Sequence, residues 1–264
     1  MTFASKLHRL LALLDWILTA QFGIDLRRLV RAIARLPRFG VELVRFRAKY
    51  SGNLGLLPCL HDWTEEGGSA RGEYFWQDLY VARKIHLANP KRHVDIGSRV
   101  DGFVAHVASF REIEVFDIRH LAITIPGVVY KQCDLMNPVA GFDEYCDSLS
   151  CLHALEHFGL GRYGDPIDPK GHEAGLRNMA RIVRRGGRFY LSVPLGIERV
   201  EFNGHRIFDP MTIVHLARAC GLELDSFAAF SGENGIIEPS EVDEFFSRLR
   251  QERYRLGIFT FIRR

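Results

Sequence analysis

The stretch His93-Val94-Asp95-Ile96-Gly97 decides the fold, because a short β-type run there carries a carboxylate near its end, with a glycine two residues after it. Two later runs, Glu114–Asp117 and Val128–Asp134, end in aspartate, and a fourth, Tyr145–Cys151, leads into Leu155-Glu156-His157. Helical segments separate these runs, which predicts a mostly parallel sheet covered on both faces. The carboxyl ends of such strands line the crevice where open α/β sheets bind ligands. The sequence therefore predicts that the strand-end aspartates share one binding site.

The rest of the chain continues this alternation of strands and helices. The predicted helices span Glu73–Leu87, Gly102–Phe110, His172–Arg184 and Ser240–Arg250. A further helix is capped by Asp209 and has Pro210 at its first position. The predicted strands span Arg188–Val193, after the Gly186-Gly187 turn, and Leu222–Phe230 and Leu256–Ile262. The last strand arrives after a polar helical stretch, so we expect it to pair antiparallel at the edge of the sheet.

Residues 1–50 differ in charge from the remainder of the chain. They carry ten basic and three acidic residues, a net charge of +7, which leaves −4 for the other 214 residues. Apolar residues recur at helical spacing over 7–18 and 26–36, and Pro37 is expected to end the second helix. The organisation predicted is a basic amphipathic helical extension over 1–50, a turn-rich linker over 51–72 and an α/β domain over 73–264.

The basic extension has several interpretations. It packs on the α/β domain or on a second subunit, or its basic amphipathic face rests on an anionic membrane or partner. Nucleic acid is not expected, because no aromatic-interleaved basic patch accompanies the charge. The apolar run Leu10–Phe22 contains Asp15 and is too short to cross a bilayer. It lacks a small-residue cleavage site, and the five cysteines form no CxxC pair, so we expect a cytoplasmic protein, peripheral to the membrane at most.

Several motifs carry a resemblance to a known family. Asp95-Ile96-Gly97 resembles the first motif of class I S-adenosylmethionine (SAM) methyltransferases, and Asp117 stands 22 residues on, where their ribose-binding acid falls. Cys133-Asp134-Leu135 resembles their adenine-side motif. More narrowly, Phe158–Pro166 and Phe202–Arg206 resemble an uncharacterised methyltransferase-like family shared by nematodes and bacteria. The expected fold is a Rossmann-like class I methyltransferase sheet, with its last strand antiparallel.

The resemblance implies SAM as the cofactor, whose ammonium, ribose and base suit three carboxylates at three depths. Gly97 would let the backbone approach the amino-acid end of SAM. Asp95 would orient this turn, Asp117 would accept both ribose hydroxyls, and Asp134 would face the adenine amino group. The residues that the resemblance assigns to the cofactor are Asp95, Gly97, Arg99, Asp117, Asp134, Leu135 and Ser150.

One departure from the family pattern affects the glycine loop. Arg99 and Asp101 stand where the family commonly has its second and third glycines. Arg99 either salt-bridges the SAM carboxylate or fills the pocket and prevents binding. The second outcome would leave a methyltransferase-like fold that has lost its cofactor and acts as a binding module.

A rival chemistry is contained in His153-Ala154-Leu155-Glu156-His157. The pattern H-x-x-E-H is the inverted zinc-peptidase motif, which needs a sustained helix. Gly159 and Gly161 follow too closely for such a helix, so we expect no metal, and His153 is expected to pack behind its strand. A zinc hydrolase using His153, Glu156 and His157 stays open as the minor alternative.

The acceptor side is expected in the turn-rich segment 159–172. Its candidate contacts are Arg162, Tyr163 and His172, with Asn203 and Arg206 approaching from the other side. His157 or His205 is the expected general base, and Glu156 orients one of them. Asp147-Ser148-Leu149-Ser150 replaces the Asn-Pro-Pro-Tyr type of motif used for transfer to nitrogen, which favours an oxygen acceptor on a small molecule, a sugar or a lipid-linked intermediate.

Overall fold

The computed structural model describes residues 14–65, 67, 68, 70, 72–138 and 140–264. The chain divides into two compact units, residues 1–69 and 70–264. This division falls within the segment 51–72, for which the sequence predicts a linker.

In the first unit, residues 14–22 are helical and helix α1 spans Leu26–Arg47. Asp25 caps α1 by accepting a hydrogen bond from the backbone N–H of Arg28 at 2.8 Å. The prediction that Pro37 ends this helix is wrong, because α1 continues through it. A proline removes one helical hydrogen bond, and the turn that follows is supported by the Arg38–Glu42 ion pair at 2.8 Å. The part of the first predicted helix before residue 14 lies outside the described residues.

The second unit alternates strands and helices as the sequence predicts. Its elements are α2 (Glu73–Ala88), β1 (His93–Ile96), a helical turn (Val100–Val104), α3 (Ala105–Ala108), β2 (Ile113–Asp117), β3 (Val128–Gln132), β4 (Cys146–Leu152), a helical turn (Leu155–His157), α4 (Gly171–Ile182), β5 (Val183–Leu195), β6 (Arg199–Glu201), β7 (His205–Ile207), α5 (Pro210–Ala219), β8 (Leu222–Phe230), a helical turn (Gly232–Asn234), β9 (Ile236–Ile237), α6 (Val242–Leu249) and β10 (Arg255–Arg263).

The main sheet has the strand order β3-β2-β1-β4-β5-β10-β8-β9. Strands β1 to β5 run parallel, and β10 pairs antiparallel with both β5 and β8. The Rossmann-like sheet with an antiparallel last strand is therefore confirmed. Its position at the edge is wrong, because β10 lies inside the sheet and two-residue β9 forms that edge. Strand β10 is buried on both faces, which a central position requires.

A second difference concerns the Gly186-Gly187 pair. The sequence predicts a turn before the fifth strand, whereas β5 begins at Val183 and contains both glycines. The register shifts between Cys146 and Ser148 on β4, whose partners are Val183 and Arg188. Gly186 has a φ of +75°, so the pair forms a bulge within the strand rather than a turn ahead of it.

Helices cover both faces of this sheet and fix the position of the crevice. On one face, Val81 and Ile85 of α2 join Val107 of α3 in a buried cluster. On the other, α4, α5 and α6 pack in a larger cluster. The strand order reverses at β1, whose neighbours are β2 and β4, so the ligand crevice of such a sheet opens at the carboxyl end of β1. Among the described residues no helix combines the length and apolar character that crossing a bilayer requires.

Candidate active site

The turn after β1 brings the backbone to the wall of the crevice. Gly97 has a φ of +72°, and a Cβ at this position would lie 3.0 Å from the Cβ of Ala154. Its N–H donates to the Phe116 carbonyl at 2.9 Å, which ties the turn to β2. The position therefore requires glycine for both its conformation and its surroundings.

Asp95 holds this turn from beneath. Its buried carboxylate accepts from Ser98 N at 3.0 Å, from Ser98 Oγ at 2.8 Å and from Ser150 Oγ at 2.5 Å. Burial raises the pKa of Asp95 to about 7, against the lowering effect of these hydrogen bonds. Asp95 and Ser150 are fully buried and lie behind the cavity walls, so both would act on a ligand through the turn rather than by contact.

Two adjoining cavities open at this edge of the sheet. The first cavity lies at the ends of β1, β2 and β3 and is lined by Phe116, Asp117, Ile118, Cys133, Asp134 and Leu135 among others. The second cavity adds Tyr74, Gln77, Asp78, Ser98, Arg99 and Arg162. Five residues line both, namely Gly97, Arg119, His153, His157 and Tyr163.

Asp117 reaches the first cavity but already has a cationic partner. Arg119 donates from Nε to both carboxylate oxygens at 3.0 and 3.1 Å and from Nη2 at 2.5 Å. The side chain of Asp117 is 4% exposed and that of Arg119 is 39% exposed. The guanidinium thus lies at the mouth of the position predicted for the ribose.

Asp134 and Leu135 follow β3 and also line the first cavity. The Asp134 carboxylate accepts from Met136 N and Asn137 Nδ2, both at 2.9 Å, and so stabilises its own loop. The Leu135 side chain is buried, and its carbonyl accepts from Asn178 Nδ2 at 2.9 Å. These bonds fix the backbone where the sequence predicts the adenine.

The two residues that replace the expected glycines, Arg99 and Asp101, lie away from the first cavity. Arg99 and Asp101 pair with each other in two hydrogen bonds of 3.0 and 2.7 Å, with side chains that are 67% and 72% exposed. Arg99 lines only the second cavity. Arg119, which the sequence analysis did not single out, is the arginine that touches a predicted cofactor carboxylate.

His157 is the buried imidazole shared by both cavities. Its Nδ1 lies 2.8 Å from the Gly204 carbonyl, which favours a proton on Nδ1 and leaves Nε2 as the accepting nitrogen, 3.5 Å from Arg162 Nη1 and 3.8 Å from Glu156 Oε1. Burial lowers the pKa of His157, so the neutral form prevails near pH 7. This is the state in which an imidazole acts as a general base.

His153 is charged and bound between two carboxylates. Its Nδ1 lies 2.7 Å from Glu156 Oε1, and its Nε2 lies 3.5 Å from Glu73 Oε1. Burial alone would lower the pKa of His153, but the hydrogen bond to Glu156 and the nearby Glu73 carboxylate raise it to about 9. His153 contributes to the walls of both cavities, although its side chain is only 5% exposed. Its φ of +52° turns the chain at the end of β4 toward the crevice.

The segment 159–172, the acceptor loop, divides into cavity-lining and supporting residues. Tyr163 lines both cavities, and Arg162 lines the second and donates to the Gly204 carbonyl at 2.9 Å. Arg206 is buried and donates to the carbonyls of Phe158 at 2.5 Å and Pro169 at 3.2 Å, so it holds the loop from behind.

Three other predicted residues lie outside the cavity walls. The ring of His172 packs 5.5 Å from that of Phe208, and burial, with a contribution from Arg206, lowers its pKa to about 4. Asn203 is exposed in the hairpin between β6 and β7. His205 contacts Glu201 at 3.6 Å in the same hairpin. These three residues lie near the acceptor loop but line neither cavity.

Helix α2 contributes residues that the sequence analysis missed. Tyr74, Gln77 and Asp78 line the second cavity, and Glu73 contacts His153. Gln77 and Asp78 share the buried helix face with Val81, Ala82 and Ile85. The sequence signal for these residues is that polar side chains occur at the helical spacing of a buried apolar face.

The H-x-x-E-H segment does not form a metal-binding helix. The helical turn Leu155–His157 is three residues long, and the two histidines bond to different partners. Across the described residues, no group of three histidine, cysteine or carboxylate side chains has an arrangement that could hold a metal ion.

About half of the chain matches a known protein family. The family described as Caenorhabditis protein of unknown function, DUF268, matches residues 113–248. The chain belongs to this family. No curated protein matches this DUF268 member.

Solved structures share the fold of this DUF268 member at low sequence identity. The 1,6-didemethyltoxoflavin-N1-methyltransferase of Burkholderia thailandensis is 13% identical, with 74% of this chain and 79% of that chain covered at a TM-score of 0.50. A TehB-like SAM-dependent methyltransferase from Corynebacterium glutamicum is 16% identical, with 75% and 90% covered at a TM-score of 0.48. The first likeness establishes the class I methyltransferase fold.

The charged His153 predicts a pH-dependent stability. The folded protein keeps this proton up to a pKa of about 9, whereas an unfolded histidine loses it near 6.5, so the stabilisation is complete below about pH 6.5 and is lost as the pH rises through 9. We expect the free energy of unfolding to fall by roughly 3 kcal/mol over that window, relative to His153→Gln. Urea unfolding at pH 6, 7.5 and 9.5 measures it, with exposed His215→Gln as the control; parallel profiles for wild type and His153→Gln would contradict the assignment.

Proposed function

We propose that this DUF268 member is a SAM-dependent methyltransferase. The observation that carries the proposal is the meeting of the Gly97 turn and the Asp117 carboxylate at the point where the strand order reverses. This is the place where sheets of this type bind their ligands. The Burkholderia enzyme that shares the fold was crystallised with 1,6-didemethyltoxoflavin and S-adenosylhomocysteine, which agrees with a nucleoside ligand.

The residues of the first cavity fit an adenosine. Glycine at position 97 leaves space that a Cβ could not share with Ala154, and Asp117 presents a buried carboxylate suited to two hydroxyl donors. Asp134 and Leu135 supply a fixed backbone edge and an apolar surface for a base. Asp95 and Ser150 hold the turn, and Arg99 lies at the second cavity, beside the amino-acid end.

SAM supplies an electrophilic methyl group when it is bound, and the chain has to position an acceptor and take its proton. His157 Nε2 is the base that the geometry favours, because the Gly204 carbonyl fixes the proton on Nδ1 and the ring lines both cavities. Glu156 is ionised and hydrogen-bonded to His153, so it supports this segment from the interior. His205 lies outside the cavity walls and is the weaker candidate.

Arg162 and Tyr163 are the acceptor contacts that the structure favours, because both line the second cavity. A hydroxyl acceptor matches a neutral imidazole base, whereas a carboxylate acceptor would need none. We therefore propose O-methylation of a small molecule, a sugar or a lipid-linked intermediate. His172 and Arg206 would act by supporting the acceptor loop, and Asn203 would contact only an acceptor that extends to the β6–β7 hairpin.

Asp117 is the residue whose removal tests the cofactor. We expect wild type to bind S-adenosylhomocysteine in a calorimetric titration, and Asp117→Ala to weaken binding at least tenfold, since hydrogen bonds to a charged group are lost. Asp143→Ala is the matched control, because Asp143 forms a similar pair with Arg181 at 2.9 Å on the surface. No binding by wild type at millimolar ligand would leave the cofactor-free binding module as the remaining interpretation of the fold.

His157 is the residue whose removal tests the base. With an acceptor hydroxyl, His157→Gln should lower kcat about 10²- to 10⁴-fold while S-adenosylhomocysteine affinity changes little. Because burial lowers the pKa of His157, the wild-type rate should hold its plateau below pH 6.5. Methyl transfer from labelled SAM measures both quantities, with His205→Gln for comparison. A rate that drops only in His205→Gln would move the base to the hairpin.

We also propose that α1 rests on an anionic membrane surface. Seven apolar side chains at intervals of mainly three and four residues are exposed along one face of α1, namely Leu26, Leu29, Val30, Ile33, Leu36, Val41 and Val44. The following segment packs along another side, where Arg35 donates to the Leu60 carbonyl at 2.8 Å and Arg38 lies 4.4 Å from the Trp63 ring. Among the described residues of this unit, none therefore covers the apolar face.

The charge beside this open face favours a bilayer over a second copy of the chain. Arg27, Arg31 and Arg45 follow the edge of the apolar face, at helical positions next to Val30 and Val41. A wide apolar face bordered by arginine is the pattern of helices that lie in a membrane interface, where each basic residue strengthens attachment to anionic lipid about fivefold.

Vesicle flotation of the full chain tests this surface. We expect retention on phosphatidylcholine vesicles containing 30% phosphatidylserine, weakening with salt and at least tenfold weaker for Val30→Glu/Ile33→Glu. Leu87→Glu/Ile123→Glu is the control, since it adds the same charge at exposed positions of the second unit. Equal retention on vesicles without phosphatidylserine, or a dimer that Val30→Glu/Ile33→Glu dissociates, would refute the membrane surface.

A further inference from the structure

Arg119 connects two groups that belong to different strands. Its backbone N–H donates to Asp117 Oδ1 at 2.8 Å, and its guanidinium binds both carboxylate oxygens. Nη2 also donates to the Gly97 carbonyl at 3.1 Å. One side chain therefore engages the strand-end carboxylate of β2 and the glycine turn of β1 at once.

The guanidinium of Arg119 lies where the two cavities meet. Arg119 lines both of them, and its Cζ lies 4.9 Å from the centre of the Tyr163 ring. The Tyr163 ring is in turn 5.6 Å from that of His157. A displacement of this guanidinium would therefore change the passage between the first cavity and the second cavity, which is the proposed acceptor side.

The main chain around Arg119 is held independently of its side chain. Tyr130 donates its hydroxyl to the Arg119 carbonyl at 2.9 Å, and Cys133 N donates to the Asp117 carbonyl at 2.8 Å. The guanidinium is more than a third exposed, so solvent screens its pair with Asp117. The side chain can leave the carboxylate while the strand ends keep their places.

We propose that Arg119 is a displaceable clasp, which satisfies the buried Asp117 carboxylate in the absence of ligand and is driven off by the hydroxyls of a bound nucleoside. The inference rests on the proposed use of this crevice for SAM. A carboxylate that is 4% exposed needs hydrogen-bond donors at all times, and Arg119 and a ribose compete for the same oxygen atoms.

The clasp has two consequences for ligand binding. Apparent nucleoside affinity is lower than the intrinsic affinity, because a fraction of the protein has Asp117 occupied. The released guanidinium becomes available to the second cavity, where it lies against Tyr163 of the acceptor loop. Cofactor binding would therefore precede acceptor binding, since it frees the arginine and clears the passage.

The test compares Arg119→Ala with wild type in calorimetric titrations with two probes. S-adenosylhomocysteine carries adenosine and an amino-acid carboxylate, whereas 5′-methylthioadenosine carries adenosine without the amino-acid part. We expect Arg119→Ala to bind 5′-methylthioadenosine about three- to tenfold more tightly than wild type does. Wild-type affinity should rise with ionic strength as the clasp is screened, whereas Arg119→Ala should show no such rise.

Arg119→Lys and Arg181→Ala serve as comparisons. The lysine keeps the charge without the two-pronged hydrogen bonding, so its affinity should lie between those of wild type and Arg119→Ala. Arg181→Ala removes a similar bidentate pair with Asp143 on the surface and should bind as wild type does. Thermal unfolding without ligand verifies that each variant folds.

The outcomes separate the clasp from the cofactor assignment. A gain with 5′-methylthioadenosine but not with S-adenosylhomocysteine supports the clasp and shows that the freed guanidinium then holds the ligand carboxylate. Equal or weaker binding of 5′-methylthioadenosine by Arg119→Ala, with wild type binding normally, refutes the clasp alone. Absence of binding by every variant refutes the proposed function and the clasp together.

Discussion

The hydrogen bonds of one buried carboxylate, Asp95, are the constraint on which the site depends. Asp95 joins β1 to β4 through Ser150 Oγ at 2.5 Å and fixes the turn after β1 through Ser98 at 3.0 Å. His93 continues the connection, with ring nitrogens 3.1 Å from Ser150 Oγ and 2.8 Å from Ser148 Oγ. Burial lowers the pKa of His93 to about 3, so His93 is neutral. We call this chain of hydrogen bonds between β1 and β4 the relay. It holds the Gly97 turn open at the point where the strand order reverses.

Beside the Gly97 turn, two buried carboxylates of the crevice have cationic partners within the protein. Asp117 is neutralised by Arg119, and Glu156 by a histidine whose second nitrogen faces Glu73. Tyr254 adds a hydroxyl donor to Glu73 at 2.6 Å. Buried charges persist only when they are paired and hydrogen-bonded, which is why Asp117 and Glu156 each have a cation beside them. A ligand entering such a site exchanges one set of donors for another, so the pairs that lie nearest solvent are the ones it can replace.

The parts of the fold that the sequence predicts well are set by local residues. Asp95 and Asp117 lie in runs predicted at His93–Gly97 and Glu114–Asp117, and the bounds of β1 and β2 differ from these runs by one residue each. Asp209 caps α5 as expected, because a side chain and the N–H two residues on form a local bond of 2.9 Å. The class of sheet follows from the order of such elements.

The features that the sequence does not predict depend on contacts between distant segments. The central position of β10 is decided by its pairing with both β5 and β8, which no local pattern specifies. Arg206 looks like a surface ligand in sequence, yet four carbonyls of the acceptor loop and its neighbourhood surround its guanidinium. Arg119 escaped notice because only the folded turn places a residue two positions after Asp117 across its carboxylate. Polar residues of α2 reach the second cavity for the same reason.

The unusual glycine loop is best understood through these distant contacts. Arg99 and Asp101 add bulk where related loops carry glycine, and the pair they form lies exposed at the second cavity. Gly102 remains beyond them, where a Cβ would lie 2.8 Å from Asp78 Oδ2, so α2 approaches the loop closely at that point. Gly97 meanwhile keeps the turn beside the first cavity free of a side chain. Under the proposed function, the bulk added by Arg99 and Asp101 would change the wall of the second cavity and leave the first cavity unaltered, because Arg99 lines only the second.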